Sequence, residues 1–184
     1  MEFIKRITAL LAILTTTLCT VLSPAITPSQ EKPPSLEVAF SPRPGRTEAI
    51  VKELNKAGNT VPVQAYTFTS APIANALLNA HERGVNVEAI LDKSQRTDLY
   101  SSATFFYNAG IPVKIDAQHA IAHNKVIIID GETVITGSFN FTKAAEENNA
   151  ENLLVIHDMK LAERYTENWK EHERHSEVYE GRRR

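Results

Sequence analysis

The stretch from residue 123 to residue 140 constrains the fold more than any other part of this chain. It contains two runs of mostly β-branched residues, 126–129 and 133–136, and Asp130-Gly131 follows directly after the first run. Such runs favour strands, and an Asp-Gly pair between two of them is typical of a tight hairpin turn. The stretch is therefore predicted to be a β-hairpin.

Polar residues suited to binding an anion stand at both ends of this hairpin. His123 and Lys125 are two residues apart at its start, so their side chains are predicted to project from one face. Gly137, Ser138 and Asn140 end the second strand with a flexible backbone, a hydroxyl and an amide. Taken singly, such residues are more often surface or turn positions. Together they indicate an anion site.

The joint pattern H-x-K-x(4)-D followed by G-S-x-N resembles the HKD signature of the phospholipase D superfamily. Six specified positions fall within eighteen residues, which makes the match highly specific. A short chain with one motif copy, and with Glu151 opening a later apolar run, is similar to the small single-motif bacterial endonucleases of that superfamily. The resemblance implies an α/β fold in which helices flank a mixed β-sheet, with a single motif per chain.

Each residue of the motif has a role in the phosphodiester chemistry that the resemblance implies. A neutral imidazole at His123 would attack phosphorus and form a phosphohistidine, while Lys125 and Asn140 bind the nonbridging oxygens. Glu151 would accept the other ring N–H of His123 and so fix its tautomer. Two further positions are expected to support the site structurally: Ser138 and Asp130.

One copy of the motif does not complete this mechanism. A second imidazole is needed to protonate the leaving alkoxide and then to activate water. The other histidines of the chain, at positions 81, 119, 157, 172 and 175, lack the H-x-K pattern. Because the small endonucleases pair two chains, the resemblance implies a homodimer that shares one active site.

The N-terminus has the pattern of an export signal. Lys5-Arg6 precede an apolar run, 7–22, and the small residues 23–25 suit a cleavage site. The alternative is an uncleaved membrane anchor, although the run is shorter than the ~20 apolar residues of a typical span. The sequence thus predicts a periplasmic or secreted protein, with no stable membrane association after cleavage. Its predicted parts are a signal peptide, 1–25, a linker, 26–35, and a phospholipase D-like domain, 36–184.

Overall charge argues against a long electrostatic footprint on nucleic acid. Removal of the leader leaves 18 basic and 21 acidic residues, a formal net charge of −3. Proteins that grip phosphate backbones over many contacts usually have a basic surface. Any phosphodiester substrate must therefore be held by a local basic site.

Alternating strand and helix patterns precede the hairpin and place two further cations near a sheet edge. Lys93 and Arg96 come directly after a predicted strand, 85–91. Because open α/β sheets bind ligands at strand carboxyl ends, both are candidate phosphate contacts. An ordinary solvated loop is the alternative.

No metal or other cofactor is predicted. His119 lies four residues before His123, but on a loop or strand this spacing does not bring two rings onto one ion, as it would on a helix. A final helix is expected to begin after Asp158 and to reach about His175, with Trp169 in its apolar stripe. His172 and His175, at its polar end, are predicted to be solvated.

These observations predict a metal-independent phosphodiesterase, and specifically an endonuclease of low sequence specificity acting on DNA or possibly RNA. A phospholipase D-type enzyme acting on lipids is the second possibility. A non-catalytic anion-binding protein is the third, and the intact set of His123, Lys125 and Asn140 argues against it.

Overall fold

The computed structural model describes residues 33–182. The predicted signal peptide and most of the predicted linker lie outside the described residues. Within these residues, eight strands form one sheet in the order β1-β7-β6-β5-β2-β3-β4-β8. The strands are β1 Ser35–Phe40, β2 Thr60–Ala65, β3 Asn86–Asp92, β4 Val113–Asp116, β5 Lys125–Ile129, β6 Thr133–Gly137, β7 Asn152–His157 and β8 Glu177–Val178. The helices are α1 Arg46–Leu54, α2 Ala71–Glu82, α3 Ser102–Asn108, α4 Lys143–Glu147 and α5 Met159–His175, with a 3-10 helix at Lys93–Arg96.

The sheet is mixed, as predicted. Strands β2, β3 and β4 run parallel, and the remaining neighbours pair antiparallel. As a result, β2, β3, β4 and β6 end at one edge of the sheet, where β5 and β7 begin. Residues that flank these strand ends in the sequence are thereby gathered along a single edge.

The predicted hairpin is confirmed. Strands β5 and β6 pair antiparallel, with Ile127 opposite Ile135. Asp130 and Gly131 have φ values of 55° and 68°, as the two central residues of a type I′ turn require. The Asp130 carboxylate also accepts hydrogen bonds from the backbone N–H groups of Gly58, Asn59 and Thr60. Its structural role follows from these three bonds, which fix the start of β2.

Helices cover both faces of the sheet. Apolar residues of α1 to α4 pack in one large core that includes Ile127 and Ile135. On the opposite face, α5 packs Ala162 and Trp169 against Ile128 and its neighbours. The Trp169 indole N–H donates to the backbone carbonyl of Val63 at 2.9 Å. The predicted apolar stripe of the final helix is thus part of the core.

The short helix α4 is fixed against the start of α1. Glu146 accepts hydrogen bonds from the backbone N–H groups of Gly45 and Thr47, and it forms an ion pair with Arg46, which is only 2% exposed. Burial alone would raise the pKa of Glu146, but these partners lower it below its ordinary value. The segment that follows Asn140 is therefore held in place by a buried charge pair.

The prediction that His172 and His175 are solvated is wrong. Their side chains are 14% and 24% exposed, and both lie against Asp116, which is fully buried. Burial alone would raise the pKa of Asp116, but contacts with His172, His119 and His175 hold it well below its usual range. The polar end of α5 faces the end of β4 because helix and sheet pack there, which helix periodicity does not reveal.

Within residues 33–182, helix length and hydropathy give no candidate for a membrane-spanning helix.

Candidate active site

The catalytic candidates lie along the sheet edge where β2 ends and β5 begins. Ala65, the last residue of β2, pairs with Lys125, the first residue of β5. Tyr66 and His123 flank this pair, and their rings are tilted against each other with centroids 4.7 Å apart. The Lys125 ammonium nitrogen lies 5.4 Å from the centre of the same Tyr66 ring. The predicted common face of His123 and Lys125 is therefore the face that contacts Tyr66.

Lys125 and His123 differ strongly in exposure. His123 is exposed, whereas Lys125 is 6% exposed and donates from Nζ to the His123 carbonyl at 2.9 Å. Burial lowers the pKa of Lys125 below its ordinary value, and the carboxylate of Glu151 partly opposes this shift. The result is an accessible imidazole beside a cation fixed in a poorly solvated position, where its field acts more strongly on an anion than it would in water.

The glycine of the G-S-x-N segment permits a close backbone approach. Gly137 has a φ of 141°, and a β-carbon built there would lie 2.3 Å from the Asn152 carbonyl oxygen. Ser138 and Phe139 both donate their backbone N–H to that same oxygen. Only glycine fits at this position, and the approach aligns the end of β6 with the start of β7.

Ser138 and Glu151 form a hydrogen-bonded unit at these strand ends. Ser138 Oγ donates to Glu151 at 2.5 Å and accepts from the Asn152 backbone N–H at 3.0 Å. Glu151 also accepts from the Asn149 side chain. Residues 33–182 contain no hydrogen bond between Glu151 and His123, so the orienting role of Glu151 stays a prediction.

Asn140 follows β6 and is held beside the end of β2. Its neighbour Phe141 forms a parallel bridge with Phe68, and the Phe141 carbonyl accepts from Thr69 and Ser70. Asn140 Oδ1 is buried and has no hydrogen-bond partner among the described residues. The free oxygen can only accept a hydrogen bond, whereas contact with a phosphate oxygen requires the amide nitrogen to donate, so the anion-binding role of Asn140 stays a prediction.

Lys93 and Arg96 lie on the 3-10 helix after β3, and both have partners within the chain. Lys93 Nζ donates to the His119 carbonyl at 2.9 Å, and Arg96 forms an ion pair with Glu177. Neither arrangement tests contact with a phosphate, so that role stays a prediction for both residues.

Two residues near His123 were missed from the sequence. Tyr66 could not be identified, because nothing local links it to a histidine 57 positions later. Asp92, which is 2% exposed, accepts from the Ala122 backbone N–H at 2.8 Å and so fixes the segment that leads to His123. Its position at a strand carboxyl end was the available signal.

A family comparison gives the class of protein. Residues 50–172 match the family described as cardiolipin synthase, PLD-like domain. This match covers more than half of the chain and contains the complete H-x-K-x(4)-D and G-S-x-N segments. The chain belongs to the phospholipase D superfamily and is therefore a phosphodiesterase by class.

Individual relatives agree with this family. A phospholipase D of Rickettsia typhi is 47% identical over 135 residues, which are 73% of this chain and 66% of that protein. A mitochondrial cardiolipin hydrolase of Xenopus laevis is 30% identical over 164 residues, covering 88% of this chain and 73% of that protein. The crystal structure of a phospholipase D family member, Nuc from Salmonella typhimurium, superposes with a TM-score of 0.77 at 39% identity. It covers 80% of this chain and 99% of the Salmonella chain.

Proposed function

We propose that this protein is an exported, metal-independent DNA endonuclease of low sequence specificity that acts through a phosphohistidine. The observation that carries the proposal is the exposed His123 imidazole beside the buried Lys125 cation, at a sheet edge that also holds Asn140. The match to nearly the whole length of Nuc supports a nucleic acid substrate over a lipid. Export is supported by the leader pattern of residues 1–25.

The proposed reaction has two displacements at phosphorus. A ring nitrogen of His123 attacks the phosphodiester, the P–N bond forms and the P–O bond to one nucleoside breaks. The leaving oxygen takes a proton from a second imidazole. Water then attacks the phosphohistidine, that second imidazole accepts the water proton, and His123 is released. Throughout, Lys125 and Asn140 stabilise charge on the nonbridging oxygens.

The second imidazole is assigned to His123 of a second copy of the chain. The five described histidines outside the motif are not candidates of the same kind. His119, His172 and His175 contact Asp116, His157 lies at the opposite edge of the sheet, and His81 lies in the last turn of α2, before β3 begins. A two-fold axis through the site would place two exposed His123 rings on opposite sides of one phosphorus. The proposed active form is therefore a homodimer.

A subunit-mixing experiment tests the shared site. Wild-type and His123→Asn chains are unfolded together, refolded at varied ratios, and assayed at constant total protein. Because a mixed dimer lacks one of two essential imidazoles, activity should fall as the square of the wild-type fraction, to about a quarter at equal mixing. A linear fall, to about half, would show that each chain has a self-sufficient site. Light scattering at the assay concentration checks that dimers form.

A lipid phosphodiesterase is the second candidate function. The curated relatives that favour it are named phospholipase D in Rickettsia and mitochondrial cardiolipin hydrolase in Xenopus. The same pocket chemistry serves either substrate, because both present a phosphodiester to the imidazole and the cation. The preference for DNA or lipid therefore depends on contacts with the groups attached to the phosphate, which are nucleosides in DNA and lipid groups in a phospholipid.

Direct assays separate the two candidates and test metal independence. Purified protein is expected to convert supercoiled plasmid to nicked and linear forms in excess EDTA. The reason is that the negative charge of the phosphate is neutralised by Lys125 rather than by a metal ion. Hydrolysis of phosphatidylcholine vesicles should be at least ~100-fold slower at equal phosphodiester concentration, which corresponds to about 2.7 kcal/mol in transition-state binding. Circular dichroism checks that the chelated protein is folded. Faster turnover of the lipid would reverse the assignment, and rescue by added Mg²⁺ would exclude the mechanism.

A further inference from the structure

Three histidines and one aspartate converge outside the catalytic pocket, at the end of β4. We call Asp116, His119, His172 and His175 the aspartate-histidine cluster. One ligand atom from each of the four side chains can be chosen so that all lie within 4.8 Å of one another. His172 and His175 are three residues apart on α5 and so share a helix face, while Asp116 and His119 come from β4 and the loop after it.

The distances from Asp116 to the three histidines are close to the separations between ligand atoms of a tetrahedral metal site. Asp116 Oδ2 lies 2.7 Å from His172 Nδ1, 3.1 Å from His119 Nδ1 and 3.3 Å from His175 Nε2. Ligand atoms at ~2.0–2.1 Å from a tetrahedral Zn²⁺ are separated by about 3.3 Å. The three rings are also evenly spaced, with centroids 4.9, 5.2 and 5.2 Å apart. For all four atoms to bind one ion, the longer separations, which reach up to 4.8 Å, must shorten toward about 3.3 Å by side-chain rotation.

Hydrogen bonding within the protein does not satisfy the cluster. His172 and His119 contact Asp116 with hydrogen-bond geometry. His175 Nε2 lies near the same oxygen without such geometry, and it is buried without a hydrogen-bond partner among residues 33–182. A buried ring nitrogen that lies beside a carboxylate and two other imidazoles is suited to binding a cation.

We propose that the aspartate-histidine cluster binds one Zn²⁺ or a similar transition-metal ion, with a structural role. Three imidazole nitrogens and a carboxylate oxygen suit Zn²⁺ and exclude Mg²⁺ and Ca²⁺, which prefer oxygen ligands. Four protein ligands fill a tetrahedral site, so no position is left for substrate. The site is separate from the proposed chemistry, because its ligands include neither His123 nor Lys125.

The position of the cluster indicates what the metal stabilises. Residues 117–124 connect β4 to β5 and end beside the catalytic strand. This connection is held by Lys93 at the His119 carbonyl and by Asp92 at the Ala122 N–H. An ion bound through Asp116 and His119 on one side and through α5 on the other adds a further attachment. It ties the His123-bearing segment to the final helix.

Calorimetric titration of the untagged, EDTA-stripped and desalted full chain with ZnCl2 tests the proposal. We expect one Zn²⁺ per chain and no saturable binding of MgCl2. At about 100-fold excess of free Zn²⁺ over Kd, Tm should rise by on the order of 5 °C. Substitution by Co²⁺ should give the intense visible absorption of a tetrahedral site. The absence of Zn²⁺ binding by the folded chain would overturn the proposal.

Variants locate the ion. His119→Ala changes a partly exposed ligand and is expected to fold, as checked by circular dichroism, and to weaken Zn²⁺ binding on the order of 100-fold or more. His172→Ala should do the same, whereas the matched control His81→Ala, on α2, should bind like the wild type. Unchanged affinity in folded His119→Ala would overturn the proposal, as would loss of binding in His123→Asn.

Hydrogen exchange separates this inference from the proposed function. Zn²⁺ should slow amide exchange in residues 117–124 in the wild type and leave it unchanged in His119→Ala. Unchanged exchange in the wild type would overturn the structural role even if the ion binds. Because every readout is binding, stability or exchange, the inference succeeds or fails whether the substrate proves to be DNA or lipid.

Discussion

Substitution of His123 by asparagine is expected to reduce phosphodiester turnover by ~10⁴-fold or more, because it removes the attacking nitrogen. The side chain is exposed, so the free energy of unfolding should change by no more than about 0.5 kcal/mol. In the wild type, a quench with alkali after a single turnover of labelled substrate should trap a phosphohistidine, whose P–N bond survives alkali and breaks in acid. The variant should yield no labelled protein.

The matched control for this change is His157→Asn. His157 contacts the Thr133 hydroxyl at the opposite edge of the sheet, so this variant should retain activity and form the adduct. Persistence of an alkali-stable, acid-labile adduct in His123→Asn would assign the nucleophile to another histidine. An adduct stable to acid in the wild type would indicate a different kind of residue.

Substitution of Lys125 by methionine is expected to lower turnover by on the order of 10²–10³-fold while leaving the fold intact. Methionine keeps most of the length of the side chain but removes the charge beside His123. Burial lowers the pKa of Lys125, which shows that the charged form carries a desolvation cost. Because removing the charge also removes this cost, the free energy of unfolding should change by less than about 1 kcal/mol. Urea denaturation measures stability, and the pseudo-first-order rate on plasmid measures turnover.

Lys160→Met is the matched control, because Lys160 is an exposed lysine at the start of α5. This variant should leave both the stability in urea and the rate on plasmid unchanged. If Lys125→Met loses stability by several kcal/mol together with activity, the lysine is a structural residue whose bond to the His123 carbonyl matters more than its charge. If activity is retained, neutralisation of the phosphate must come from another cation, with Lys93 and Arg96 as the first candidates.

The hairpin that carries the candidate site was predictable because its parts are close in sequence. His123, Lys125, Ser138 and Asn140 lie at the two ends of one hairpin, whose turn is specified by Asp130-Gly131. The alternation of side chains along a strand predicted that the histidine and the lysine share a face. In the structure both lie against Tyr66, although β5 begins only at Lys125. The final helix was likewise predictable from local patterns of hydrophobicity and capping, whereas the mixed sheet was expected from the resemblance to the phospholipase D superfamily.

Contacts between distant segments were decided only by the order of strands and the packing of helices. Tyr66 lies against His123 because β2 pairs with β5, and Asp92 reaches Ala122 because β3 ends at the same sheet edge. His172 meets Asp116 across 56 residues because α5 packs over the face of the sheet and brings its last turn to the end of β4. Sequence determined the set of candidate groups for phosphodiester chemistry, since those groups are neighbours along a hairpin. Tertiary structure alone determined what surrounds them, since long-range contacts depend on the assembled sheet.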